Sequence, residues 1–475
     1  MSSTLRLFWE AAGGNVPEHW EFKTIDELLE HPKAISVGVM YPGSDTDGGV
    51  PLIKVSDVKN GAIASRPSFC ISKKVDEEYK RTRLNGSELL LTLVGNPGDC
   101  VIVTDEMCGW NVARALAVIR LKDTQLRSWI RYVLASKPAQ HLIEARLNTT
   151  VQKTLNLKDV REIGIPIPPR EERDSITKII DSIEKKTLIN TQINHTLESI
   201  AQSIFKSWFI DFDPVRAKIA AKQEGKDTEL AAMCAISGKS EVEIQQMSDD
   251  DFIELQATAA LFPDELVESE LGEVPKGWDA ITLGNFLEIK RGGSPRPIQN
   301  FMAPTGYPWV KIADATADPS PFLFKTKEFI IKEGLRKTVY LKKGSLILTN
   351  SATPGLPKFL ELDACIHDGW LYFPQKKHFS DNYLYFLFLK LRTQLVAQGN
   401  GSVFTNLKTD ILRNQVVLVP TKEVIEKFDF QVGKILEMMK TQCIQSSNLS
   451  DLRDTLLPKL LSGKVSVLGF QGEVA

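Results

Sequence analysis

The chain states one plan twice. "EHWEF" around Trp20 answers "KGWDA" around Trp278, 258 positions on, and "VPLIKVSD" from Val50 answers "YPWVKIAD" from Tyr307, 257 on. "GSELLLT" ending at Thr92 and "GSLILT" ending at Thr349 are each followed by a Pro-Gly turn, Pro97-Gly98 and Pro354-Gly355. Near the end of each copy the offset is 252, pairing Thr150 with Ser402, Pro168 with Pro420 and Leu197 with Leu449. A period of about 250 residues far exceeds any solenoid unit and marks duplication of a whole domain with its following helix. At 475 residues, 43% of them hydrophobic and 25% charged, the chain has material for two or more cores.

Each copy has the same internal grammar. Short β-rich runs ("LLLTLV", "SLILTN") broken by Gly, Pro and Asn precede a helical stretch ("LRSWIRYVLASKPAQHLIEARL", "DNYLYFLFLKLRTQLVAQ"). The expected fold class is therefore α+β, duplicated. A last strand ("EIGIPIP", "QVVLVP") ends in proline, which stops it and turns the chain into a long helix.

That helix repeats every seven residues. Ile176, Ile183, Asn190, Leu197 and Ile204 fall on one heptad position, and Phe428, Ile435, Gln442, Leu449 and Leu456 on its counterpart. Ile179, Lys186, Ile193 and Ile200, with Met438 and Leu452 in the second copy, are assigned to the other core position. A polar residue at one step of the seam, Asn190 or Gln442, is the usual device for fixing register. The expectation is an antiparallel pair of helices, roughly 60 Å long at 1.5 Å per residue, joining two α+β domains with pseudo-twofold symmetry.

The net charge of −2 conceals a segregated distribution. From Glu224 to Glu273 there are 14 acidic residues against Lys226 and Lys239; from Lys290 to Lys343 there are 11 basic against four acidic, and from Val50 to Arg83 eight against four. Two basic blocks flank an acidic connector, and basic surface is the footprint of nucleic-acid binding. Six scattered cysteines without a C-x-x-C pair, and histidines without metal-ligand spacing, support neither a disulfide framework nor a zinc site. With no long apolar run and no secretory leader, the expected location is the cytoplasm, with no membrane contact.

Four blocks together resemble the specificity subunits of type I restriction-modification systems: "IPIPPREER" (165–173), "LESIAQSIFKSWFIDFDPVRAK" (197–218), "LFPDELVESELGEVPKGW" (261–278) and "LRDTLLPKLLSGKV" (452–465). The resemblance implies a target-recognition domain at 1–168, a conserved helix at 169–215, the acidic connector at 216–274, a second recognition domain at 275–420, and a second conserved helix with the C-terminal tail at 421–475. It implies a chain without catalysis or cofactor of its own, reading a split asymmetric site on double-stranded DNA, one half per domain. The helices would set the spacer and dock two modification subunits. Those use S-adenosylmethionine to methylate adenine, and two restriction subunits use ATP and magnesium to translocate and cut.

The residues agree. No phosphate loop is present, and "GNPGDC" at 95–100 lacks the second proline and aromatic of an adenine-methyltransferase loop, so it reads as a turn. Asp264 with Glu288 and Lys290 mimics a metal-dependent nuclease pattern, but Asp264 lies in the connector and Lys290 aligns with Pro32 of the first copy. A nuclease and a coiled-coil adaptor without DNA remain the alternatives. His367-Asp368 reads as a surface or packing pair.

Candidate DNA contacts lie where the copies differ. The loop "KRGGSPRPIQN" supplies Lys290, Arg291 and Arg296; its counterpart "VGVMYPGSDTDGGV" supplies Tyr41, Ser44, Asp45 and Asp47. Arginine reads guanine bidentately and a carboxylate accepts from cytosine. Lys54 and Lys311, at matched framework positions, suit phosphate contacts. A second matched loop offers Gln152, Lys153 and Asn406.

Overall fold

The computed structural model describes residues 2–59, 61–63, 65–147, 153–398, 407–465 and 467. The chain divides into two compact units, Met1–Leu188 with Ser446–Ala475, and Ile189–Gln445.

The principal elements of the first unit are helix α1 (Ser2–Ala11), strands β1 (Glu21–Thr24), β2 (Ile35–Val37), β3 (Val50–Ile53), β4 (Cys70–Ile71), β5 (Leu89–Thr92), β6 (Cys100–Ile102), β7 (Asn111–Val112) and β8 (Leu116–Ile119), helix α2 (Arg127–Ala135), strand β9 (Gly164–Ile167) and the beginning of helix α3 (Arg170–Lys206). An antiparallel sheet has the order β2-β8-β5-β6. Beside it β3 runs antiparallel to β4 and parallel to β7. Strands β5 and β8 are buried throughout, and all but Thr92 of their residues are apolar, because both faces are covered. Leu89, Leu91, Ala117 and Ile119 join one core, while Leu90, Leu116 and Val118 join another. The strands that enter and leave the domain, β1 and β9, pair antiparallel, and Pro168-Pro169 are the two residues between β9 and the start of α3.

The second unit opens with the remainder of α3, followed by helices α4 (Asp213–Gln223), α5 (Thr228–Ser237) and α6 (Asp249–Ala260). Expected only as an acidic connector, this stretch is folded around its own small core of Ala232, Met233, Ile244, Leu255 and Ala259. Next come β10 (Asp279–Thr282), β11 (Leu287–Arg291), β12 (Tyr307–Val310), β13 (Leu346–Thr349), β14 (Pro357–Leu360), β15 (Ala364–Ile366), β16 (Trp370–Lys376), helix α7 (Asp381–Gln398), β17 (Val416–Val419) and helix α8 (Lys422–Leu461). The first unit's pattern recurs. The sheet runs β11-β16-β13-β14, extended by a strand at Phe322–Leu323; β12 and β15 are parallel, and β10 pairs with β17.

In each unit a part of α3 packs antiparallel on a part of α8. In the first, Glu184 lies 3.7 Å from Arg453, and Ile176, Ile180 and Ile183 share a core with Leu449, Leu456, Leu460 and Leu461. In the second, Asn190 Nδ2 donates to Gln445 Oε1 at 2.9 Å and Asn194 Nδ2 to Cys443 Sγ at 3.2 Å. Leu197, Ile204 and Ile435 pack against the core that holds Ala201, Phe205, Phe428, Val432 and Met439. The first heptad position therefore faces inward as expected, with Asn190 fully buried. The second was assigned one residue too early. Ile200, Met438 and Leu452 are 45%, 53% and 46% exposed, whereas Ile180, Ala201 and Met439 are buried. A heptad alternates steps of three and four. Here four comes first, and adjacent apolar pairs such as Ile179-Ile180 and Met438-Met439 hide the difference.

Candidate nucleic-acid interface

The loops differ between copies, but their frame does not. Gly38 N donates to Leu116 O and Gly292 N to Trp370 O; Val39 N donates to Val112 O and Gly293 N to Ile366 O. Glycine is required at the first of these stations by proximity. A Cβ would lie 2.1 Å from Val112 O in one copy and 2.3 Å from His367 O in the other. After the loop, Lys54 N and Lys311 N donate to Asp57 and Asp314 at 2.7 and 2.8 Å, so each lysine begins a helical turn closed by the aspartate three residues on. The Pro-Gly turns are also alike. Thr92 Oγ1 donates to Asn96 O and Thr349 Oγ1 to Thr353 O, each at 2.5 Å.

These bonds correct the register read from sequence. They set Lys290 opposite Ser36, an offset of 254, where the tryptophan spacing had set it opposite Pro32. The loop between Gly292 and Tyr307 is three residues longer than that between Gly38 and Val50, which restores the offset of 257.

In the second unit the structure gathers Arg291, Arg296 and Lys311 around Trp309, His367 and Asp368. Arg291 Nε donates to Asp368 O at 2.5 Å, Ser294 Oγ to Asp368 Oδ1 at 2.8 Å, and Arg296 Nη2 to Asp368 Oδ2 at 3.4 Å. His367 Nδ1 accepts from Gly369 N, leaving Nε2 as the protonated nitrogen, 3.0 Å from Asp368 Oδ1. Its ring meets Trp309 edge-on at 5.5 Å, and Lys311 Nζ stands 5.2 Å from the same tryptophan. Burial holds His367 below its ordinary pKa against the pull of Asp368. Burial alone would raise the Asp368 carboxyl, but the Ser294 hydroxyl, His367 and the two arginines outweigh it and hold it low. Lys290 is not part of this group. It pairs with Glu288 at 2.7 Å, and strand alternation sends it to the opposite face from Arg291.

In the first unit Tyr41 is 78% exposed, and Ser44 and Asp47 are also exposed. Asp45, read as a base acceptor, instead accepts from Cys70 N at 2.8 Å and ties the loop to β4. Lys54 Nζ sits 3.4 Å above the Phe69 ring. Lys153 is exposed beside the bridge of Thr154 to Val94; Gln152 and Asn406 lie outside the described residues. Sequence reasoning missed Arg114, exposed in the turn between β7 and β8 with Met40 Sδ 3.8 Å away, and undervalued Asp368. A lone arginine inside the apolar run "NVARALAVI" was the available signal. Of the residues in the nuclease-like pattern, Asp264 is bound to Lys222 at 2.5 Å and Glu288 to Lys290 at 2.7 Å. Among the described residues no group of three or more His, Cys, Asp or Glu could hold a metal.

The type I restriction modification DNA specificity domain family matches this chain twice, at residues 17–199 and 275–448. The chain belongs to that family. The type I restriction enzyme HindI specificity subunit of Haemophilus influenzae is 33% identical over 350 residues, 68% of this chain and 73% of that one. The MjaIX specificity subunit of Methanocaldococcus jannaschii is 22% identical over 475 residues, covering 97% and 96%. In fold the chain matches the crystal structure of a type I S subunit from M. genitalium, with a TM-score of 0.52, 14% identity and coverage of 93% and 96%. As a specificity subunit it serves DNA recognition, not catalysis, in a complex with other restriction-modification subunits. No helix among the described residues is long and apolar enough to cross a membrane.

For a DNA-reading subunit the two framework lysines are unequal. Phe69 and Glu328 occupy matched positions, since Leu52 N donates to Phe69 O and Trp309 N to Glu328 O. Lys54 therefore keeps its charge over a ring, whereas Glu328 neutralises Lys311 at 2.5 Å. Lys54→Ala is expected to weaken binding to all sequences and flatten the salt dependence by about one unit of slope. Lys311→Ala should do less, and Glu328→Gln should steepen the slope. Titrations of the assembled complex on DNA at several salt concentrations check this.

Proposed function

We propose that each unit reads one half of a bipartite, asymmetric site on double-stranded DNA, and that α3 and α8 set the spacer and dock two modification subunits. Those subunits bind S-adenosylmethionine and methylate adenine, and two restriction subunits bring ATP- and magnesium-dependent translocation and cleavage; this chain holds none of these cofactors. The observation that carries the reading is one backbone frame built twice with different loop chemistry. Two arginines stand on Asp368 in one copy; in the other the loop carries an exposed tyrosine, and its neighbour Met40 lies against Arg114. Docking on the helices is supported by exposed apolar side chains. Phe430, Met438 and Ile444 of α8 are 49%, 53% and 43% exposed, and at about 100° per residue they share one arc of about 120°.

Replacing residues 16–165 by another specificity subunit's domain should change one half of the target and leave the other intact. Mapping methylated adenines in DNA exposed to the assembled methyltransferase reads the result. A change in both halves would refute the division of labour.

A further inference from the structure

Four matched backbone hydrogen bonds define one station in the two domains. Besides the two made by the glycine frame, Ala113 N donates to Ile53 O as His367 N does to Val310 O, and Leu93 N to Ala115 O as Asn350 N does to Gly369 O. Residues 113–115 therefore occupy the place of 367–369. Arg114 stands where the other domain has Asp368.

The station faces the variable loop in both. In the second domain its carboxylate is 32% exposed and turned toward the loop, where it accepts from Ser294 and Arg296. Arg291 is held differently, by the main-chain carbonyl of the same residue. Arg296 itself is 77% exposed, so one corner of its guanidinium rests on Asp368 while its other N–H donors remain available. In the first domain the station carries the cation. Arg114 is exposed and makes no ion pair among the described residues, and its guanidinium lies 3.8 Å from the Met40 thioether.

From this geometry we infer that position 114/368 determines specificity in both domains by opposite means. Arg114 reads a guanine edge directly; Asp368 touches no base and positions Arg296 to do so. An arginine forks onto guanine O6 and N7 bidentately, and holding its guanidinium in place beforehand lowers the entropy lost in doing so. A single exposed arginine with four rotatable bonds would otherwise lose entropy on binding. The inference rests on the reading that each domain serves one half-site.

The test is selection of bound duplexes from a randomised library by this chain assembled with its modification subunit. Asp368→Asn keeps the side chain's size and an oxygen for Ser294 but removes the charge facing Arg296. It is expected to relax base preference at one position of the second domain's half-site by about tenfold, as Arg296→Ala does. Because both act through one contact, the double variant should be no worse than Arg296→Ala alone. Asp368→Glu should restore part of the preference. Arg114→Ala should relax one guanine in the other half-site, and Arg114→Lys should not rescue it, since an ammonium cannot fork. Additive effects of Asp368→Asn and Arg296→Ala would show that Asp368 acts elsewhere and overturn its role. Uniformly weaker binding by Arg114→Ala, with a flatter salt dependence, would make Arg114 a phosphate contact and overturn direct reading. Relaxation of both half-sites by either substitution would instead overturn the one-domain, one-half reading. Unfolding midpoints of the variants, expected within about a degree of the parent for these surface groups, separate loss of reading from loss of fold.

Discussion

Trp208→Ala is expected to lower the stability of the second unit by about 3–5 kcal/mol, the cost of deleting a large aromatic from a packed core. Trp208 is 1% exposed, with its ring 5.2 Å from Phe262 and 6.2 Å from Phe428. Those neighbours come from the end of the α4–α6 segment and from α8, and Phe205, Phe209 and Tyr383 complete the cluster. One deletion therefore loosens three pieces of chain. At about 2–4 °C per kcal/mol for a unit of this size, the unit's melting transition should fall by about 6–20 °C. Calorimetry would detect it as a shift of one component, with the other unmoved. A shift below about 2 °C would mean that the ring is not a structural centre.

Arg120→Ala should harm the first unit by a comparable amount through a different cause. Glu88 is fully buried and accepts from Asn85 N, Ser87 N and, at 3.2 and 3.0 Å, from Nε and Nη2 of Arg120. The same guanidinium donates to the carbonyls of Arg81 and Arg83 at 2.7 and 3.0 Å. Removing it strands a buried carboxylate with two backbone donors, a loss of about 3–5 kcal/mol. The pair flanks β5 and β8, so half-site reading by the first domain should fail with it. Combining Arg120→Met with Glu88→Leu removes the stranded charge and should recover part of the loss. Recovery is incomplete because Asn85 N and Ser87 N then lose their acceptor. Urea denaturation of the two singles and the double checks the sign, and a double variant worse than Arg120→Ala alone would contradict it.

The repeat made most of the architecture legible. Matched prolines marked where strands end and helices begin, and the duplicated apolar runs marked the central strands. What escaped depended on information outside the repeat. Glu88 and Arg120 correspond to Ser345 and Pro374, so no matching pair announced the buried salt bridge. The helix seam was misplaced at its second position because Ile179-Ile180 and Met438-Met439 offer the same chemistry at neighbouring angles about 100° apart. Loop register was lost because insertions on the two sides of the frame nearly cancel. The site was half legible. The structure brings Arg291, Arg296 and Lys311 together, which their sequence positions did not announce; Asp45 ties down its loop, Lys290 points away, and Asp368 acquires meaning only once folding brings it 74 residues back to Ser294.

The first unit takes its last structural residues from the far end of the chain. Leu460 and Leu461 are 2% and 5% exposed in the same core as Trp9 and Trp129. Ser446 follows Leu188 by 258 positions, so a ribosome must make all of the second unit before the first can close. At about 5–20 residues per second that interval is about 13–52 s. Throughout it Ile176, Ile180 and Ile183 await their partners on a helix already synthesised. A premature stop near residue 445 would therefore injure the domain that was translated first.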